Sequence, residues 1–173
     1  MKRELFPGGS TALRIREANT DDISALAKLH VETWNATYAP YGMKGPSVAA
    51  RAVQWREGFA RAPRWFCYVV ERGDGALVGF AQANPSDNPE FEGELGKIYL
   101  LKEYQGQGLG RRLLGYVARR FLELGINSMW LYGDARNPSR HAWLAMGAFK
   151  LDENPRIGNY GWKDLRELAA APE

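Results

Sequence analysis

Between Glu94 and Leu124 the chain runs from an apolar stretch, Glu94-Leu-Gly-Lys-Ile-Tyr-Leu-Leu101, through Gln105-Gly106-Gln107-Gly108-Leu109-Gly110 into a long amphipathic segment. No other part of the sequence restricts the fold as much. The apolar stretch, Gly93 to Leu101, reads as a buried strand. Leu109, Leu113, Val117, Phe121 and Leu124 fall on one stripe of a helix that Gly125 ends. A strand that turns through alternating glycines straight into a helix makes an anion cradle. Glycine takes backbone conformations closed to other residues and lets a ligand approach the main chain, while the free N–H groups and the positive end of the helix dipole point to the same place. Arg111 and Arg112 stand in the first turn, where a cation is unfavourable by about 0.3–1 kcal/mol unless an anion offsets it. A solvated helix face is the alternative for both arginines, and a capping turn without a ligand is the alternative for the whole loop. A dinucleotide fingerprint counted from Gly106 would need glycine where Arg111 stands, and the lysine and Ser/Thr of a nucleotide P-loop are missing.

The rest of the chain supplies a mixed α/β domain. Residues 12–18 alternate apolar and polar as a strand covered on one face does. Thr20 offers an N-cap to a helix carrying Ile23, Leu26, Ala27, His30 and Val31 at helical spacing. Residues 37–46 hold two prolines and two glycines and predict a loop, after which Ser47 caps a second helix to about Arg61. Arg64 to Arg72 and Ala76 to Asn84 predict a hairpin around Gly73-Asp74-Gly75. Ser128 to Asp134 predicts a strand, Pro138 to Met146 a short helix with proline at its permitted first position, and Phe149 onward a return to strand through Tyr160 to Leu165. The order β-α-α-β-β-β-α-β-α-β-β places helices on a central sheet. Residues 1–11 are expected to be a flexible arm, 12–166 the domain, and 167–173 a tail.

With 173 residues the chain suits one compact domain. No apolar run approaches the roughly 20 residues of a membrane span, and the N-terminus lacks an apolar stretch of signal-peptide length, so a cytoplasmic location without membrane contact is expected. Cys67, the single cysteine, sits in the apolar run Trp65-Phe66-Cys67-Tyr68-Val69-Val70. It reads as a buried strand residue, and no metal site is expected. The formal charge of +3 is spread along the sequence rather than massed, so nucleic acid is not an expected partner.

The string Gln105-x-x-Gly108-x-Gly110 after a strand carrying Ile98-Tyr99-Leu100 resembles motif A of the GNAT superfamily of N-acetyltransferases. Thr33-Trp34-Asn35-Ala36-Thr37-Tyr38 is similar to the Trp/Tyr helix-to-loop segment of bacterial small-molecule members. Trp55 looks like the tryptophan of their second helix, and Asn137 through Gly147-Ala148-Phe149 looks like the block that closes the cofactor site. The resemblance covers about residues 12–165. It implies the acyl-CoA N-acyltransferase fold: a mostly antiparallel sheet whose two central parallel strands, here Gly93–Leu101 and Ser128–Asp134, splay apart around acetyl-CoA.

By that resemblance, main-chain groups of Ile98, Tyr99 and Leu100 pair with the pantetheine arm, and amides of Gln105, Gly106, Gln107, Gly108, Leu109, Gly110 and Arg111 hold the diphosphate. Asn137 hydrogen-bonds the pantetheine, unless it is simply the residue that starts the helix at Pro138. Transfer requires a neutral amine. Glu94 matches the family's general base, and period-two alternation puts it on one face with Gly96, Ile98 and Leu100; a half-buried carboxylate there would have a raised pKa. A strand-end glutamate in solvent is the alternative. Where many relatives carry a tyrosine that protonates the leaving thiolate, this chain has Trp143, which lies at the cofactor but is no acid. Tyr132, His141 or water are left for the role, Tyr132 being the residue carried forward. Trp34 and Tyr38, with Tyr41, would form an aromatic wall for the amine of a small molecule or peptide. Homodimers form in similar proteins by strand pairing through the C-terminal segment. A module that binds acyl-CoA without turnover is the competing reading, prompted by the missing tyrosine.

Overall fold

A computed structural model describes residues 12–173, and the expectation for residues 1–11 lies outside them. The described chain consists of β1 (Leu13–Glu17), α1 (Ile23–Tyr38), α2 (Val48–Phe59), β2 (Phe66–Arg72), β3 (Leu77–Pro85), β4 (Gly93–Leu100), α3 (Leu109–Glu123), β5 (Met129–Leu131), α4 (Arg140–Ala145), β6 (Phe149–Lys150), β7 (Tyr160–Trp162) and α5 (Arg166–Ala169). The strands form one sheet in the order β1-β2-β3-β4-β5-β7-β6. Only β4 and β5 run parallel. This is the expected mixed, mostly antiparallel sheet with flanking helices.

Each face of the sheet has its own core. On one, Val78, Ala81 and Leu95 pack under the α3 stripe of Leu113, Val117 and Phe121. On the other, Val69 and Phe80 pack under Leu26 of α1 and Trp55 of α2. Strands covered on both faces lose the polar-apolar alternation, which is why β2 and β3 read as apolar runs. Among the described residues no helix is long and apolar enough to cross a membrane.

The structure departs from the expected elements at several places. The cap at the start of the first helical segment is Asn19 rather than Thr20: Asn19 Oδ1 accepts from Asp21 N at 2.9 Å and Asp22 Oδ2 from Asn19 N at 2.9 Å, closing a reciprocal box on a 3-10 turn that leads into α1. α1 continues to Tyr38 instead of stopping before the loop, and the chain leaves helical geometry only where Pro40 enters the next turn. Leu124 lies past the end of α3 and is exposed. The segment set apart as a tail, 167–173, begins inside α5, and Leu168 and Ala171 are buried. Gly115 permits that close approach, since a Cβ there would stand 3.1 Å from Ala171 Cβ and 3.2 Å from Leu168 O. Arg119 Nη1 donates to the carbonyls of Ala169 and Ala171 at 2.9 and 3.1 Å.

Asp22 also ties α1 to the sheet. Its carboxylate accepts both Nη groups of Arg16 at 2.8 Å, and Arg16 in turn reaches Glu71 on β2 at 2.9 Å. Arg16 holds the Asp22 carboxyl below the usual carboxylate range, a pull that outweighs desolvation. A depressed folded-state pKa stabilises above the unfolded value near 3.8 and is lost as pH falls through the folded one. Asp22→Asn is therefore expected to cost about 1–2 kcal/mol at pH 7. Urea unfolding should show that deficit shrinking toward pH 3.

Candidate active site

Two departures from regular pairing open the middle of the sheet. β4 and β5 pair only at Gly93 with Met129 and Glu94 with Trp130, and beyond that point the strands separate. The register between β3 and β4 shifts between Gln82 and Ala83, which oppose Lys97 and Leu95, so Gly96 is an extra residue in β4. A Cβ on Gly96 would collide with the Gln82 side chain. Glycine lets the Gln82 side chain lie directly against the backbone where the strand bulges.

The bulge corrects the expected alternation. Leu95, Ile98 and Leu100 face the α3 core, whereas Tyr99 faces α1 and α2. Lys97 lies on the Tyr99 side, with Nζ 5.9 Å from the Trp55 ring centroid and 3.3 Å from Gln82 Oε1. Glu94, the neighbour of Leu95, shares this second face with Lys97 and Tyr99 and not, as period two predicts, with Ile98 and Leu100. It stands at the vertex of the splay. Desolvation raises its pKa, Lys97 opposes that shift and Asp87 adds to it. Burial lowers the Lys97 pKa, and so does the charge of Arg51.

Tyr38, Ile98, Tyr99, Tyr132, Asn137 and Trp143, six of the residues singled out from the sequence, line a cleft between the separated strands. On β4, Leu101 N donates to Val78 O at 2.9 Å. The alternation of an antiparallel ladder then turns the peptide groups of Ile98 and Leu100 to the open side and those of Tyr99 to β3. The peptide groups of Tyr99 are thus engaged with β3, while the residue also lines the cleft. Asn137 is buried: Oδ1 accepts from Ser139 N at 2.9 Å as a turn-closing group, the local role open to it, while Nδ2 donates to the Tyr38 hydroxyl at 3.1 Å. Burial raises the Tyr38 pKa. Trp143 is buried in the cleft wall, its ring centroid 5.5 Å from that of Tyr160. Tyr132, at the mouth, is 73% exposed. His141 is exposed on α4.

The glycine turn lies next to a groove lined by Tyr41, Leu100, Gln105 and Pro138 among others. Gly106 and Gly108 have φ of +72° and +81°, left-handed conformations, and a Cβ on either would meet nothing within 4 Å. Gly110 has an ordinary φ. Gln105 braces the turn rather than offering a donor, because its amide is bonded to Lys102 O at 3.2 Å and its side chain donates to Leu100 O at 3.0 Å. The amides of Gly106 to Arg111 find no backbone acceptor among the described residues. Arg111 is exposed beside them, and neither it nor Arg112 forms an ion pair among the described residues.

The pattern of the acetyltransferase (GNAT) family matches residues 23–148. The chain belongs to that family. It is 30% identical over 164 residues to the uncharacterized N-acetyltransferase YuaI of Bacillus subtilis, covering 89% of this chain and 95% of that protein. In fold it is similar to the PaiA N-acetyltransferase of Thermoplasma acidophilum in complex with coenzyme A, with a TM-score of 0.71, 19% identity, and coverage of 87% of this chain and 98% of that one. It is also similar to the phosphinothricin acetyltransferase of Sinorhizobium meliloti in complex with acetyl-CoA, with a TM-score of 0.68, 22% identity and 87% of each chain covered.

Three side chains that this acetyltransferase presents near the cleft were not among those picked from its sequence as site residues. Lys97 interrupts an apolar strand, which is a readable signal. Arg51 stands four positions before Trp55 on the buried stripe of α2, where a cation is out of place. His30 looked like an apolar helix position and is 2% exposed. Burial, with the charges of Arg51 and Lys97, pushes its pKa down to about 3, so it is neutral at physiological pH. Of the aromatic wall, Tyr38 faces the cleft, while Trp34 packs on Tyr38 with centroids 4.9 Å apart and lies against Gly45. Cys67 is buried and its thiol pKa is raised by burial, as suits a strand residue without chemistry.

Proposed function

We propose that this protein is an N-acetyltransferase that moves an acetyl group from acetyl-CoA to a primary amine by direct attack. The observation that carries the reading is the row of uncommitted amides from Gly106 to Arg111 at the end of the cleft opened by the β4–β5 splay. Six consecutive donors at a helix N-terminus match a diphosphate, and the open edge of β4 at Ile98 and Leu100 matches the amides of pantetheine. Acetyl-CoA supplies the thioester, an acyl group activated toward amines. The chain supplies position and proton control.

Glu94 takes one proton from the ammonium form, the neutral nitrogen forms the new C–N bond and gives up a second proton to water, and the C–S bond breaks with its electron pair left on sulfur. That thiolate needs a proton. Tyr132 carries a phenol at the cleft mouth, but water competes with so exposed a group. Tyr38, buried against Asn137 and kept protonated by its surroundings, is the better placed donor. Tyr38→Phe is expected to lower kcat by about tenfold to a hundredfold with little change in the KM for acetyl-CoA, and Tyr132→Phe by less. The reverse ranking would return the role to Tyr132.

Thiol release from acetyl-CoA against a panel of amines tests the reading as a whole. Turnover with at least one amine, together with shifts of the 106–111 amide resonances on titration with coenzyme A, is expected. Amide shifts without turnover on any amine would make the chain a binding module; unmoved amides would remove the cofactor site altogether.

A further inference from the structure

A second cavity, of about 570 Å³, opens on the α1–α2 side of the sheet. Its floor is made by His30 on α1, Arg51 and Trp55 on α2, Trp65, and Lys97 on β4; Gln54, Glu57 and Arg61 stand at the rim. Lys97 also lines the cleft between β4 and β5, so the two openings share a lining residue. The volume is that of a small-molecule site.

The buried part of the lining is rich in donors. Seven buried side-chain polar atoms find no protein partner among the described residues, and three of them, His30 Nδ1, Arg51 Nε and Trp55 Nε1, belong to residues of this one lining. Arginine and indole nitrogens can only donate. Arg51 is 8% exposed and its single side-chain bond is from Nη1 to Gln54 Oε1 at 2.9 Å. No carboxylate pairs with it among the described residues. Arg16 provides the contrast: part-buried, it is matched by both Asp22 and Glu71. A guanidinium withdrawn from water without a counter-ion is unfavourable unless a ligand provides one. Around it, Lys97 and Arg61 add positive charge and Glu57 at the rim is the one carboxylate of the lining.

We propose that the acceptor amine carries an oxyanion, carboxylate or phosphonate, seated on Arg51 with Lys97 and Arg61, and an apolar portion against Trp55 and Trp65. This rests on the acetyltransferase reading and names the acceptor class. Because Lys97 borders both openings, the spacer between oxyanion and amine is short, as in an amino acid. Polyamines are disfavoured by the same charges, since a second ammonium would meet Arg51, Lys97 and Arg61 with only Glu57 at the rim to offset them. The positive field also lowers the pKa of the incoming ammonium and so eases the step assigned to Glu94.

The test is a matched series sharing one amine and one apolar body, with carboxylate, phosphonate or carboxamide as the variable group, plus a diamine. Thiol release is measured for each, and binding of each to the coenzyme A complex is measured by calorimetry. The oxyanion amines are expected to exceed the carboxamide by about a hundredfold in kcat/KM and in affinity. The ratio of carboxylate to carboxamide should fall about a hundredfold in Arg51→Gln, recover in part in Arg51→Lys, and fall about threefold to tenfold in the rim variant Arg61→Ala, whose exposed position spares the fold. The difference between carboxylate and phosphonate assigns the oxyanion. Turnover that prefers the carboxamide or the diamine, or a ratio that Arg51→Gln and Arg61→Ala leave unchanged, overturns the inference while leaving the enzyme reading intact. Arg51-dependent binding of oxyanion amines without thiol release would uphold the subsite and overturn the enzyme reading.

Discussion

Replacing Glu94 by glutamine is expected to lower kcat at pH 7 by about a hundredfold to a thousandfold, the usual scale for loss of a positioned general base. Glutamine keeps the size and the polar contacts of the side chain, so the effect isolates the proton. Sign and position of the pH dependence follow from the surroundings. Desolvation at the vertex of the β4–β5 splay raises the Glu94 pKa, and Lys97 offsets only part of that. A base works when deprotonated, so wild-type kcat should fall as pH drops through a value above the ordinary carboxylate range. In Glu94→Gln that acidic limb should be missing, and the residual rate should climb with pH as the amine loses its proton unaided. A variant with near wild-type kcat and an unchanged acidic limb would move the base elsewhere. Lys97, on the same face and also shifted by burial, would be the next residue to replace.

Coenzyme A affinity should collapse in Gly108→Val, by at least about a hundredfold, because a β-branched side chain over the cradle takes away two or more charge-assisted bonds worth roughly 1.5–3 kcal/mol each. Gly108 has φ of +81° and is the N-cap of α3. A side chain there finds no protein atom within 4 Å, so the fold itself bears only the left-handed strain, about 1–2 kcal/mol. Calorimetry with coenzyme A and a thermal melt separate the two effects. S-acetylpantetheine, which lacks the diphosphate, should retain its KM in the variant. Unaltered coenzyme A affinity would mean that the glycine turn is a cap and nothing more.

Much of this site was legible because motif A is local. The geometry of strand, glycine turn and helix N-terminus is set by residues close in sequence, so Gly106, Gly108 and the free amides of α3 follow from the chain's own conformational limits. The same holds for the α3 stripe and for the hairpin between β2 and β3. Where prediction failed, a long-range contact decided. Period two assigned Glu94 to the wrong face because the extra residue at Gly96 exists only in relation to Gln82 on β3. The peptide groups of Tyr99 turn to the ladder with β3 rather than to the open side. Residues 167–173 were read as a tail because their few apolar side chains gain meaning only beside Gly115 of α3.

The sequence by itself determined that a glycine turn with free amides joins a buried strand to a helix within an α/β domain, since glycine φ, helix dipole and apolar periodicity act over a few residues. Only the tertiary structure decided that Arg51, His30, Trp55 and Lys97, drawn from three separate elements, enclose one cavity beside that strand. Their unmet donors and unpaired charge arise from burial, and burial is a property of packing that no stretch of sequence holds alone.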